Sequence, residues 1–132
     1  MAGQLTIDTL KASSGVLATQ NGMTGIAKAW VTWNGSTNVI NGSFNVTSIT
    51  KNTTGDYTIN FTTAMSNATY SVTTSAGSNN TTNGQAVLNV AQTSAASGAV
   101  TKTTTQLRVV SSNGSVGTLA DFGELNVMVI GA

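Results

Sequence analysis

The chain has 132 residues and contains no Cys, His or Pro, with only 7% charged residues and a formal net charge of +1. Ordinary domains carry about 25% charged residues, so this chain is poor in the groups that perform acid–base catalysis, ligate transition metals or bind phosphate. In their place it has 24 Thr, 14 Ser, 14 Asn and 14 Gly. Thr favours strands, whereas Asn and Gly favour turns, so the composition predicts one ordered all-β domain.

Residues 1–24 differ in pattern from the rest of the chain. Leu5, Ile7 and Leu10 form a short apolar pattern, and residues 11–24 are rich in Ser, Gly and Thr without clear periodicity. We therefore predict either an extended N-terminal arm, anchored through those three apolar side chains, or a strand lent to a neighbouring copy, with an ordinary first strand as the alternative. The sequence shows neither the basic and apolar regions of a secretory signal nor a run of 18 or more apolar residues that would span a membrane.

Period-two alternation of apolar and polar residues, which is typical of half-buried strands, recurs after residue 25. It is clearest at Tyr57, Ile59 and Phe61, whose intervening neighbours are polar. A short linker separates residues 55–62 from residues 69–74, so we predict that these two strands pair as a hairpin. The predicted strands are residues 26–33, 39–49 with a bend near 41–42, 55–62, 69–74, 86–91, 103–110 and 124–130.

Turn signals separate these segments. Asn34-Gly35 and Asn113-Gly114 each combine two residues that tolerate positive φ, and Ser, Asn and Thr clusters fill the other gaps. Seven strands at this spacing predict an antiparallel β-sandwich or a jelly roll over residues 25–132.

The segment Lys28–Trp33 holds both Trp residues of the chain. Residues three apart on a strand point to opposite faces, so Trp30 and Trp33 cannot both enter one core unless a bulge intervenes. We predict either that one Trp fills the core while the other contacts a neighbouring subunit, or that a bulge brings the two together. An exposed Trp can also stack on a sugar, so a glycan contact is the alternative role.

The last predicted strand is apolar on both faces apart from Asn126. Such a strand occupies a central position in a sheet or lies in an oligomer interface. Together with the Trp pair, this pattern favours a symmetric oligomer, with a homotrimer as the leading hypothesis. The candidate residues for a subunit interface or a glycan contact are Trp30, Trp33, Met128 and Ile130.

The residues needed for common chemistries are scarce. A nucleophilic Ser needs a base, and no His is present. A glycosidase needs two carboxylates, but Asp56 is predicted to be a turn carboxylate, and Asp121 and Glu124 are predicted to serve solvation and turn formation before the last strand. No acidic cluster suits calcium, and the five basic residues are dispersed rather than arranged as a phosphate-binding stripe. We predict no catalytic residue, cofactor, metal, nucleic-acid partner or membrane partner.

Three blocks of the sequence resemble a known type of domain. They read KAWVTWNG at residues 28–35, SFNVTSIT at residues 43–50 and TGDYTINFTTAM at residues 54–65. In combination they resemble a β domain of tailed-bacteriophage virion structural proteins, of the tail-fibre and head-decoration type found especially in marine and cyanobacterial phages. The resemblance covers residues 28–72, about a third of the chain, and residues 5–10 are similar to the short start that precedes this domain.

The resemblance implies a non-enzymatic, trimeric virion component that is assembled in the host cytoplasm and exposed on the particle. The chain has room for an arm and one domain, which favours capsid decoration or a head fibre slightly over a short tail-fibre or receptor-binding protein. The arm would bind other virion proteins of the capsid or tail. The competing class is a carbohydrate-binding adhesin module that contacts a host surface glycan, for which we expect a groove with an exposed Trp33 or Tyr70.

Overall fold

The computed structural model describes residues 26–77, 85–91, 101–114 and 117–131, so the predicted arm and its residues Leu5, Ile7 and Leu10 lie outside the described residues. The described residues include no helix that is both long and apolar enough to cross a membrane. They form eight strands: β1 Ala27–Asn34, β2 Val39–Phe44, β3 Val46–Thr53, β4 Asp56–Phe61, β5 Ser71–Gly77, β6 Ala86–Val90, β7 Gln106–Asn113 and β8 Glu124–Ile130.

The strands of the described residues form two four-stranded sheets. Sheet A has the order β2-β1-β8-β5, and sheet B has the order β3-β4-β7-β6. Every strand pairing is antiparallel. The side chains between the sheets form one apolar core, so the predicted antiparallel β-sandwich is confirmed.

The predicted strand over residues 39–49 is two strands in different sheets. The chain passes from β2 to β3 at Asn45, which has a φ of 56° in the left-handed region that Asn tolerates better than most residues. Its side-chain amide donates to the carbonyls of Lys28 (3.0 Å) and Thr63 (3.1 Å), and its side-chain oxygen accepts from the Thr63 N–H (2.7 Å). The turn to the other sheet is therefore held by one residue, at 45 rather than at 41–42.

The predicted hairpin between residues 55–62 and 69–74 is wrong. β4 lies in sheet B between β3 and β7, whereas β5 lies in sheet A beside β8. The linker between β4 and β5 crosses from sheet B to sheet A. Each of the two strands therefore turns its apolar face to the core from a different sheet. The rings of Phe61 and Tyr70 meet edge to face at the two ends of this linker, with centroids 5.9 Å apart.

Alternation along each strand fills the core. Tyr57, Ile59 and Phe61 of β4 are buried on the inner face, as predicted. The ring of Tyr57 packs edge to face against that of Trp33 in the opposite sheet, with centroids 5.6 Å apart. Such aromatic pairs add to the free energy that area burial alone provides. An aromatic contact thus joins the two sheets near one end of the sandwich.

Candidate interaction surface

The two Trp residues lie on opposite faces of β1. Trp33 is fully buried in the core, whereas Trp30 is 40% exposed on the outer face of sheet A. The pairing of β1 with β2 shifts register between Thr32 and Trp33, but this bulge does not bring the two rings to one face. The first sequence alternative is thus correct in placing one Trp in the core. Trp33 contributes nothing to an outer surface.

The last strand lies centrally in sheet A, between β1 and β5, as one of the two sequence alternatives predicts. Its residues Leu125, Val127 and Val129 are buried in the core. Met128 points the other way and is 42% exposed, and Ile130 is half-buried on the same outer face. Three of the four candidate contact residues, all except Trp33, therefore share one side of sheet A.

Cross-strand register arranges this outer face in two rows. Met128 lies opposite Trp30 on one side and opposite Thr73 on the other, and Trp30 lies opposite Phe44. The second row lies two residues away along each of the same four strands, and it consists of Gly and short polar residues. We call the two rows together the outer face of sheet A; its members are Phe44, Trp30, Met128 and Thr73 in the first row, and Gly42, Thr32, Asn126 and Ser75 in the second.

A groove of about 270 Å³ opens on this face across β1, β8 and β5. Its lining includes the apolar side chains of Trp30 and Met128 and the short side chains of Thr73, Ser75 and Asn126. An apolar cavity of about 150 Å³ is large enough for a benzene molecule. The groove is therefore large enough for two aliphatic side chains.

The Trp30 ring lies over Gly42 of the neighbouring strand. A Cβ atom at Gly42 would lie 3.4 and 3.5 Å from two carbon atoms of that ring, so the ring covers the glycine on the neighbouring strand. Phe44, which is 37% exposed, flanks the ring in the same row. Neither Phe44 nor Gly42 is recognisable as a surface residue from the sequence pattern. Only the register between β1 and β2 brings them beside Trp30.

The outer face of sheet B is polar and internally hydrogen bonded. The Asn60 amide donates to the hydroxyls of Ser48 (3.0 Å) and Thr50 (3.2 Å) on β3, and its oxygen accepts from the Gln106 amide (2.9 Å) on β7. These side chains satisfy one another across three strands. The face is therefore able to meet water without a further partner.

Asp56 directly follows the turn at residues 54–55, as the sequence predicts, and its side chain belongs to this polar face. It is buried at the start of β4, where it accepts from Arg108 Nε (2.9 Å) and pairs with a second nitrogen of the guanidinium. Asn52 also donates to it (3.0 Å). The hydrogen bond from Arg108 lowers the pKa of Asp56, although burial opposes the change. The carboxylate is an ionised structural acceptor.

Asp121 has a similar role at one end of the sandwich. It accepts hydrogen bonds from the Tyr57 hydroxyl (2.5 Å), the Gly55 N–H (2.8 Å) and Lys51 Nζ (2.6 Å). Burial alone would raise the pKa of Asp121, but the hydrogen bonds from Lys51, Tyr57 and Gly55 lower it. The residue fastens the segment before β8 to β3 and β4, which is more than solvation or turn formation.

Tyr70 is buried and does not form the exposed aromatic groove expected of a carbohydrate-binding module. Its hydroxyl donates to the carbonyl oxygens of Thr103 (3.0 Å) and Gln106 (3.2 Å), and Lys102 Nζ lies 5.2 Å from the ring centroid. Burial raises the pKa of Tyr70 to about 12. With Trp33 buried as well, Trp30 is the Trp that remains accessible on the outer face of sheet A.

Within the residues that the structure describes, no group of three or more Asp, Glu, Cys or His side chains could hold a metal ion. No protein-family model, curated protein or solved structure matches the chain. The features that bear on function are the exposed apolar row on sheet A, the hydrogen-bonded outer face of sheet B, and the sequence blocks on β1 to β4.

Proposed function

We propose that the chain is a non-enzymatic structural protein of a bacteriophage virion, which assembles as a homotrimer on the particle surface through the outer face of sheet A. The observation that carries this proposal is the apolar row of Phe44, Trp30 and Met128 on a sandwich whose other face is polar. The sequence blocks that resemble phage virion proteins support the virion context. We propose capsid decoration or a head fibre as its position on the particle, slightly ahead of a short tail-fibre or receptor-binding role.

The composition of the row supports its use as a protein contact. Trp, Phe and Met are enriched in the cores of protein interfaces, whereas Lys, Glu and Asp are depleted there. Each of these side chains leaves more than a third of its surface exposed in the single chain. Burial stabilises by about 25 cal/mol for each Å² of apolar surface removed from water. A symmetric assembly of identical copies is the usual way in which such a face is covered.

The state of the two ion-paired carboxylates supports a structural role rather than acid–base catalysis. Asp56 is ion-paired with Arg108, and Asp121 with Lys51. Hydrogen bonds lower the pKa of both carboxyl groups. A general acid at neutral pH needs a pKa raised towards 7. The pKa values of Asp56 and Asp121 are shifted the other way, so neither carboxyl group suits that task.

Oligomeric state tests the assembly directly. A homotrimer of 13.3 kDa chains has a mass of about 40 kDa by light scattering or native mass spectrometry. We expect Trp30→Thr to shift the protein towards 13.3 kDa with the β-sheet circular dichroism spectrum retained. The matched control is Thr58→Val on the outer face of sheet B, which should leave the trimer intact. A compact wild-type monomer under mild conditions contradicts the proposal.

The position on the particle requires intact virions. Particles that lack the protein should lose surface knobs from the shell when imaged by electron microscopy, and this result supports capsid decoration or a head fibre. Loss of adsorption to the host with an intact shell supports the alternative, a short tail-fibre or receptor-binding protein. Particles unchanged in both respects contradict a virion role. An N-terminal contact with capsid or tail proteins is tested in the same particles by amine cross-linking from Lys11, which directly follows the predicted anchoring residues.

The second candidate function is a carbohydrate-binding adhesin module. It is favoured by the position of the Trp30 ring beside Thr73, Ser75 and Asn126, since stacking on a ring and hydrogen bonding to short polar side chains are both used to hold a sugar. A glycan array tests it. Specific binding that persists in a monomeric Met128→Lys variant and is lost in Trp30→Ala supports this function over assembly.

A further inference from the structure

The groove on the outer face of sheet A has a definite repeat along its strands. Trp30 and Thr32 on β1, and Met128 and Asn126 on β8, mark its two rows. Rows separated by two residues on a strand lie about 7 Å apart. An extended chain laid along the strands on this face would therefore place two alternate side chains, about 7 Å apart, one beside each row. The groove volume of about 270 Å³ matches two aliphatic side chains rather than a bulky domain surface.

The sequence before the sandwich contains a segment with the matching pattern. Leu5 and Ile7 alternate with Thr6 and Asp8. In an extended chain Leu5 and Ile7 share one face, with the same spacing of about 7 Å, while Thr6 and Asp8 point away from it. The two apolar side chains could enter the groove together while Asp8 stays in water. The proposed virion role gives the segment an anchoring function, but it does not explain why Leu5 and Ile7 alternate with polar residues.

The connection between this segment and the sandwich is long enough to reach a second subunit. Residues 11–26 separate Leu10 from β1 and span up to about 50 Å when extended. A domain of about 100 residues has a radius of gyration near 13 Å, so this connection exceeds the width of one sandwich. If the segment bound the groove of its own chain, it would cover the surface through which the proposed trimer assembles. When the segment binds the groove of a neighbouring copy instead, it fills the groove and also joins the two subunits.

We propose that residues Leu5–Leu10 of one copy occupy the groove between Trp30, Met128 and Thr73 of a neighbouring copy. The inference deepens the proposed function and rests on the proposed trimer. Leu5 and Ile7 fill the groove, and the arms hold the subunits together by cyclic exchange, in which each arm binds the next copy around the trimer.

Engineered disulfides test the contact without interference, because the chain has no Cys. Ile7→Cys is made in one full-length chain and Thr73→Cys in another, and the two are dissociated, mixed, reassembled and mildly oxidised. We expect a disulfide-linked pair of different chains of about 27 kDa, twice the 13.3 kDa chain mass. Thr6→Cys, on the opposite side of the extended segment, and Thr58→Cys, on sheet B, are the matched controls and should give at least tenfold less product.

A pair of charge substitutions tests the same contact in solution. Ile7→Asp should weaken trimer association at least tenfold in its dissociation constant, because it places a carboxylate in an apolar groove. Thr6→Asp adds the same charge one residue away on the solvent side and should change association less than twofold. Equal effects of the two substitutions contradict the proposed orientation.

The outcomes separate this inference from the proposed trimer. A trimer that Trp30→Thr dissociates but Ile7→Asp leaves intact, with no Ile7–Thr73 disulfide above the controls, overturns the arm contact and leaves the trimer standing. A disulfide that forms only when one chain carries both substitutions overturns the exchange. A wild-type chain that is monomeric throughout overturns the proposed assembly itself.

Discussion

The outer faces of the two sheets differ although the sheets have the same number of strands and share one core. Sheet B presents Asn60, Gln106 and their neighbours, whose amides and hydroxyls donate to and accept from one another across the strands. Sheet A presents Trp30 and Met128 side by side, next to a groove. A polar face satisfied by lateral hydrogen bonds is complete in water. An apolar row gains free energy only when another surface covers it.

The contrast also exists within one strand. Trp30 and Trp33 are the same residue type three positions apart on β1, yet one is in the core and the other on the surface. Alternation determines which side each takes, and the neighbouring strands determine what each meets. Trp33 meets Tyr57 across the core, and Trp30 covers Gly42 beside the groove. Folding and assembly can therefore be perturbed separately by substituting one Trp or the other.

Trp33→Ala should have the largest effect on the stability of the fold. Removal of a fully buried Trp leaves a cavity and is expected to lower the free energy of unfolding by about 3–5 kcal/mol. Trp30→Ala should lower the free energy of unfolding of the dissociated chain by less than about 1 kcal/mol. The same substitution should prevent assembly. Urea unfolding at several protein concentrations separates the two contributions. Equal losses of monomer stability would show that the two faces of β1 are not functionally distinct.

Asn45→Ala should have the next largest effect, because Asn45 joins the two sheets. Ala at a φ of 56° is strained by about 1 kcal/mol or more, and the substitution removes hydrogen bonds worth about 1 kcal/mol each. We expect a total loss of about 3 kcal/mol in thermal or urea unfolding. Asn45→Gly keeps the backbone conformation and serves as the matched control, with a smaller loss that isolates the side-chain hydrogen bonds. If the two variants are equally stable, the backbone conformation contributes nothing.

Asp121→Asn should cost about 2 kcal/mol, since hydrogen bonds to a charged group contribute about 1.5–3 kcal/mol and this site is partly exposed. The substitution leaves Lys51 without its ion-pair partner at the end of the sandwich. Glu124→Gln, three residues later, is the control and should change stability by less than about 0.5 kcal/mol. A loss of the same size in both variants, measured by urea unfolding, contradicts the specific role of Asp121.

Local pattern was sufficient to locate the strands to within a few residues, apart from the division of residues 39–49 into β2 and β3, and to predict the faces of several residues. The alternation at Tyr57, Ile59 and Phe61 predicted which side of β4 is buried, and residues 124–130 match β8 to the residue. The spacing of the two Trp residues predicted their opposite faces. These properties depend on neighbours within a few positions, and one sequence contains that information.

The arrangement of the strands required information from distant residues. The hairpin prediction failed because β5 pairs with β8, whose partner residues lie 47 to 59 positions later, rather than with β4. Asp121 could not be recognised as an acceptor because its donors Tyr57 and Gly55 lie 64 and 66 positions away. The corner at Asn45 depends on one left-handed residue, which an alternation pattern does not reveal. Phe44 and Gly42 became part of the surface only through the register with β1.

The smallest expected effect is that of pH between about 5 and 9. The chain has no His, which is the side chain that ordinarily titrates in this range, so assembly through the outer face of sheet A should change less than twofold. The pKa of Asp56 and of Asp121 is lowered from an ordinary value of 3.8, so their contribution to folding is complete above that value and is lost as the pH falls through the folded pKa. Tyr70 behaves in the opposite way.

Burial raises the pKa of Tyr70 from 10.0 to about 12, so its contribution is complete below pH 10 and is lost as the pH rises through about 12. The pKa of Tyr57 shifts in the same direction because of burial and its hydrogen bond to Asp121. Thermal unfolding followed across pH should therefore give a flat midpoint from about 5 to 9, with losses only at the acidic and alkaline ends. Neither row of the outer face of sheet A contains a titratable side chain. Dissociation of the trimer inside that range, without a change in the unfolding midpoint, would therefore contradict an interface made of these two rows.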